Sequence, residues 1–192
     1  GTSPYYAEFQ PYIDGDSTLL GHVLLDDIGN LSSLTQAQLD TIAAHSKRRF
    51  PGLLTVVRGR PTQLKAAAPR CRSCLGGKQP YGFLDAGWAQ YSVKNGDAAS
   101  FRDAEIAAAT ELQLGLVLGI NIRRPFLSPN MNEAPIDSVS QWGKILLATG
   151  TSDYACAFSL WNDTYSSAAA AAVFDTLALL ARNHVASPCK RR

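Results

Sequence analysis

The chain has 192 residues, enough for a well-buried core, and its 46% hydrophobic and 18% charged residues make an ordinary globular mixture rather than a disordered or fibrous one. A net charge of +2 builds no field that would gather a polyanion, so nucleic acid is not an expected partner. No apolar run reaches the roughly 18 residues needed to cross a bilayer, so a membrane is not expected either.

Residues 1–20 carry Tyr5, Tyr6, Phe9 and Tyr12 without a period and end in the turn signal Asp14-Gly15-Asp16, as an irregular segment that packs on something else would. The first residue is glycine and no leader follows it, which suggests a processed or partial chain. His22-Val23-Leu24-Leu25 is the first short hydrophobic run, and it stops at Asp26-Asp27. His22 reads as a hydrogen-bonded core residue rather than a base. Thr35 and Gln38 form a capping-box pattern ahead of Leu39, Ile42 and Ala43, predicting a helix that ends near Phe50 because Pro51-Gly52 cannot continue it.

Leu53–Val57 is short, apolar and bounded by turn residues, which predicts a buried strand ending at Arg58. Pro61 suits the first turn of a short helix through Ala68. A loop from Pro69 to Pro80 follows, and then Gly82–Leu84 is expected as a strand that opens at Asp85 into a site loop carrying Trp88 and Gln90. After the turn Asn95-Gly96-Asp97, a helix through Gln113 places Phe101, Ile106, Ala109 and Leu112 inward.

Leu114–Ile122 is almost unbroken apolar sequence, as in a strand covered on both faces, and only Asn121 interrupts it. Ser138 and Gln141 suggest a second capping box, with Val139, Trp142 and Leu146 at helical spacing. The last unit is a strand from Tyr154 that stops at Trp161-Asn162-Asp163, then an alanine-rich helix from Ser166 to Asn183. A basic tail over 186–192 closes the chain.

Five strand-then-helix units over residues 21–185 predict one α/β domain with parallel pairing and right-handed crossovers. Neither G-x-G-x-x-G nor a P-loop is present, so no nucleotide-binding open sheet announces itself. Polar groups at every strand end fit the rim of a partial or complete (β/α) barrel of TIM type better.

Four cysteines suggest an oxidising compartment, secreted or periplasmic. A strand of about 8 residues rises about 26 Å and the returning helix of about 18 residues rises about 27 Å, which brings Cys189 back to Cys156 and predicts their disulfide. Cys71 and Cys74 lie in a loop. They suit a local structural disulfide better than a redox pair, which would open a helix, or a zinc site, since His22, His45 and His184 are scattered. No metal or cofactor is expected.

Four segments, His22–Asp27, Leu84–Tyr91, Leu116–Asn121 and Ala157–Asp163, resemble the later strands of secreted bacterial (β/α)-barrel proteins related to glycoside hydrolases. The resemblance implies that three earlier strands are not part of this chain. It also implies a carbohydrate-active hydrolase acting on a carbohydrate or another small polar substrate. Such chemistry needs two carboxyls flanking the bond. Glu8, Glu105, Glu111 and Glu133 all lie off the strand ends, so Asp27 is the expected acid and Asp85 its partner.

Around these, Asp26, Arg58, Gln90, Asn121, Asn162 and Asp163 are the expected polar contacts, with Trp88 and Trp161 as flat platforms or as plain packing. The alternatives are a non-catalytic sugar-binding or structural barrel, or a barrel enzyme acting on another small molecule. Open sheet edges would favour a homo-oligomer.

Overall fold

A computed structural model describes residues 21–25, 34–68, 79–122, 134–148, 155–161, 167–183 and 189, and of Trp161 the backbone alone. Five strands, β1 (Gly21–Val23), β2 (Leu54–Val57), β3 (Ala86–Tyr91), β4 (Gly115–Asn121) and β5 (Ala155–Trp161), pair in chain order and all in parallel. Five helices alternate with them: α1 (Gln36–Arg49), α2 (Pro61–Ala67), α3 (Ala98–Leu112), α4 (Ile136–Leu146) and α5 (Ala168–Asn183).

Sequential order has a consequence. With strands in sequential order, crossovers of one hand return on the same side, so the helices gather on one face and the sheet curls into a half-barrel instead of winding both ways from a switch point. Successive helices accordingly pack on one another, α2 on α3, α3 on α4 and α4 on α5.

The helix-covered face holds the core. Leu116, Leu118 and Ile120 of β4 are fully buried, and they pack with Ala89 and Tyr91 of β3, Phe101 and Ala109 of α3, and Val139 and Leu146 of α4. Each of the leucine, isoleucine, valine and phenylalanine side chains contributes about 1.5–3 kcal/mol by leaving water. Around β2, Leu39 and Ala43 of α1 and Leu64 of α2 close over Val57. His22 belongs to this covered side as expected, with Nδ1 2.8 Å from Ser46 Oγ and its ring edge-on to Phe50. Burial lowers its pKa.

The expected helix starts hold at α1, where Thr35 and Gln38 cap each other, and within two residues at α5, where Ser167 Oγ accepts the Ala170 N–H at 3.1 Å. They do not hold at α4. That helix begins at Ile136, after Pro135, so Ser138 lies inside its first turn.

The third strand also differs from expectation. Residues 82–84 do not pair, because the N–H groups of Gly82, Phe83 and Leu84 all donate to the Asp40 carboxylate on α1, at 2.9, 2.7 and 3.1 Å. The strand starts only at Ala86 and contains Trp88 and Gln90. Small residues let the helices approach here. A Cβ on Gly87 would lie 3.1 Å from both Gly59 O and Leu64 Cδ1.

Cys156 and Cys189 form the expected disulfide, with Cα atoms 5.0 Å apart. Cys71, Cys74, residues 1–20 and all of the tail except Cys189 lie outside the described residues. The bond closes a sequence separation of 33 residues, which corresponds to about 3–4 kcal/mol of lost chain entropy in the unfolded state. Replacing both cysteines by serine is expected to lower unfolding stability by that amount. Urea titration of the double variant against the parent chain measures it.

Candidate functional site

The register of the ladder decides which strand residues share a level. Val57 pairs with Gly87, Trp88 with Val117, Gln90 with Gly119, and Gly119 with Ser159. Residues alternate between faces, so Trp88, Gln90, Val117, Gly119, Asn121 and Ser159 lie on the concave face, away from the helices.

Gly119 makes room there. Trp88 Nε1 donates to Ser159 Oγ at 2.8 Å, reaching across β4, and a Cβ on Gly119 would crowd both groups. The indole is thereby fixed over the middle strands. Beyond the assigned strands the first pair continues, since Arg58 N–H donates to Leu25 O at 3.1 Å and so holds Arg58 at the rim.

At the C-terminal ends of β2, β3 and β4 these residues line a cleft of about 290 Å³. Of the residues singled out in the sequence, Arg58, Trp88, Gln90 and Asn121 come together in it. Arg60, Gln63, Ser92 and Asn95 also line it and were not foreseen. All four belong to turn or cap structures just after a strand: Gln63 Oε1 accepts the Arg60 N–H at 3.0 Å, and Asn95 Oδ1 accepts the Ser92 N–H at 2.9 Å. The patterns Arg60-x-x-Gln63 and Ser92-x-x-Asn95 directly after strands were the available signal.

Asp85 is not in the cleft. It precedes β3, so it stands at the N-terminal end of the sheet, opposite the rim where a paired-aspartate mechanism needs it. Its side chain is fully buried. Oδ2 pairs with Lys47 Nζ of α1 and accepts the Thr55 N–H at 2.9 Å and the Thr55 hydroxyl at 3.1 Å. Asp26, Asp27, Asn162 and Asp163 lie outside the described residues, as does the side chain of Trp161. Among the described residues, no group of three or more His, Cys, Asp or Glu side chains could hold a metal ion.

Behind the cleft, Glu105 of α3 is buried and spends both oxygens on Thr62, accepting its N–H at 2.9 Å and its hydroxyl at 2.8 Å. Arg60 Nε stands 4.0 Å from Glu105 Oε1. Burial raises the Glu105 pKa, while the Thr62 hydrogen bonds and the Arg60 charge oppose that rise.

Comparison with known protein families, curated proteins and solved structures finds no match to this chain. The fold therefore defines the class, a curled parallel α/β sheet with a polar cleft at its C-terminal rim.

Two outcomes follow from the buried acids. Lys47→Met strands the Asp85 carboxylate without its counter-charge, and a loss of about 3–5 kcal/mol is expected in urea unfolding. For Glu105, a folded pKa above the ordinary 4.5 means that its contribution to stability is fully present below pH 4.5 and is lost as pH rises through the folded value. Glu105→Gln, which keeps one carbonyl for Thr62, should flatten that part of the profile of unfolding midpoint against pH.

Proposed function

We propose that this protein binds a small, hydroxyl-rich molecule of the carbohydrate class at the C-terminal rim of a barrel of TIM type. One observation carries the reading: three successive parallel strands deliver Arg58, Trp88, Gln90 and Asn121 into one cleft at the end of the sheet where α/β proteins bind their ligands. A fixed indole offers a flat apolar surface to a sugar ring, and the amides and guanidinium groups supply directional contacts around it. Sequential strand order with the helices gathered on one side supports the barrel reading, which goes further than the half-barrel itself.

Binding is preferred to hydrolysis because the carboxylate expected to partner Asp27 is at the far end of the sheet. No carboxylate lines the cleft among the described residues. The Cys156–Cys189 disulfide favours an oxidising compartment, consistent with secretion.

A glycan array followed by titration calorimetry tests the reading. Trp88→Ala and Asn121→Ala are each expected to weaken the bound glycan by about 1–3 kcal/mol, with no reducing ends released by the parent chain. Wild-type affinity in both variants would place binding elsewhere. Glycan cleavage would restore a hydrolase.

A further inference from the structure

The hydrogen bonds inside the cleft divide its amide side chains unequally. Gln63 spends its carbonyl on the Arg60 N–H at 3.0 Å. Asn95 spends its carbonyl on the Ser92 N–H at 2.9 Å and on the Ser92 hydroxyl at 3.1 Å. Backbone N–H groups only donate, so both amide orientations are settled. Gln90 turns its oxygen toward Arg58 Nη1, in a long contact of 3.5 Å, and its buried Nε2 has no hydrogen-bond partner among the described residues.

What these three amides still offer is N–H. The guanidinium groups of Arg58 and Arg60, in the same lining, carry N–H donors and no acceptor atom of their own. Glu105, the carboxylate closest to Arg60 in the described structure, has both oxygens engaged by Thr62 and is not part of the lining.

A neutral sugar suits such a wall poorly, since beside Asn121 and the Ser92 hydroxyl its polar side chains present mainly donors. Every hydroxyl carries a proton that needs an acceptor, and one left without a partner in a desolvated cleft costs about 1–3 kcal/mol. An oxyanion brings only acceptors, and its hydrogen bonds to amide and guanidinium N–H groups are charge-assisted. The unpartnered Gln90 nitrogen is the sharpest sign, because a buried donor without an acceptor is normally retained for something that supplies one.

We infer that the rim cleft is an oxyanion site, so that the ligand of the proposed function is an acidic sugar bearing a carboxylate or phosphate group. The inference rests on the rim-binding reading and names the ligand's charge. Its Gln90 amide nitrogen, the free ends of Gln63 and Asn95, and the two arginines meet the oxyanion.

Titration calorimetry of the full chain with glucose, glucuronate, glucose 6-phosphate and inorganic phosphate is the test. At least one acidic sugar should bind about tenfold or more tightly than glucose, with a preference that shrinks as salt is raised. Gln90→Glu and Asn95→Asp keep the carbonyl that each internal bond uses and replace the N–H₂ group by oxygen. Both should abolish the acid preference, with near-ultraviolet circular dichroism reporting an intact fold.

Binding of glucuronate without glucose 6-phosphate, or the reverse, supports the inference and identifies the oxyanion. Glucose bound as tightly as its acidic counterparts, or an acid preference untouched in both variants, overturns it and leaves rim binding standing. Failure of all four probes to bind overturns both.

Discussion

The site depends on where β3 begins, and buried polar contacts fix that point. Asp85 joins α1, β2 and β3 at the N-terminal end of the sheet, through Lys47 and Thr55, while Asp40 of α1 holds the three amides just before it. A slip of one residue would turn every side chain of β3 to the opposite face. Trp88 and Gln90 would then enter the helix-packed core, and Ala89 and Tyr91 would face the cleft. The carboxylate expected to do chemistry instead fixes the register that places the cleft's own residues. Its energetic role is to penalise alternatives, because a buried charge is tolerable only where its partners are present.

From this register the rest of the concave face follows. Ala86 opposite Gly115 sets Gln90 opposite Gly119, which puts a residue without a side chain between Trp88 and Ser159. The indole crosses at that gap. Gln90 and Asn121 then extend past it toward the rim, while Arg58 is held at the end of β2 by its bond to Leu25. Packing at one end of the sheet and polar display at the other are thus linked by strand alternation alone.

Much of this architecture was legible in the sequence. The apolar runs at 53–57 and 114–122 marked β2 and β4, and the Thr35 capping box and the Pro51-Gly52 stop bracket α1 as expected. The disulfide followed from the rise of a strand and its returning helix. The third strand was not legible. Tyr81–Leu84 looks more apolar than Ala86–Tyr91, whose Gly87 is small because α2 lies against it, and the competing claim of Asp40 on residues 82–84 is a long-range contact. Arg60, Gln63, Ser92 and Asn95 were missed for a related reason. Each makes a local turn or cap, and only the fold brings two such turns to one cleft.

The cleft's geometry is also independent of how the sheet continues at its margins. β2, β3 and β4 each have a neighbour on both sides, whereas β1 and β5 are the outer strands of the described sheet. Further strands, a second copy or another segment of chain meeting those margins would add to β1 or β5. None of these additions would have to move Gln90, whose strand pairs on both sides with inner strands, or the turns at Arg60–Gln63 and Ser92–Asn95, while β1 and β5 hold Arg58 and Asn121 through the edges that face inward. The cleft at this rim is therefore lined by the central three strands and the turns that leave them, with Ser159 of β5 and Leu25 beside β1 holding Trp88 and Arg58 in place.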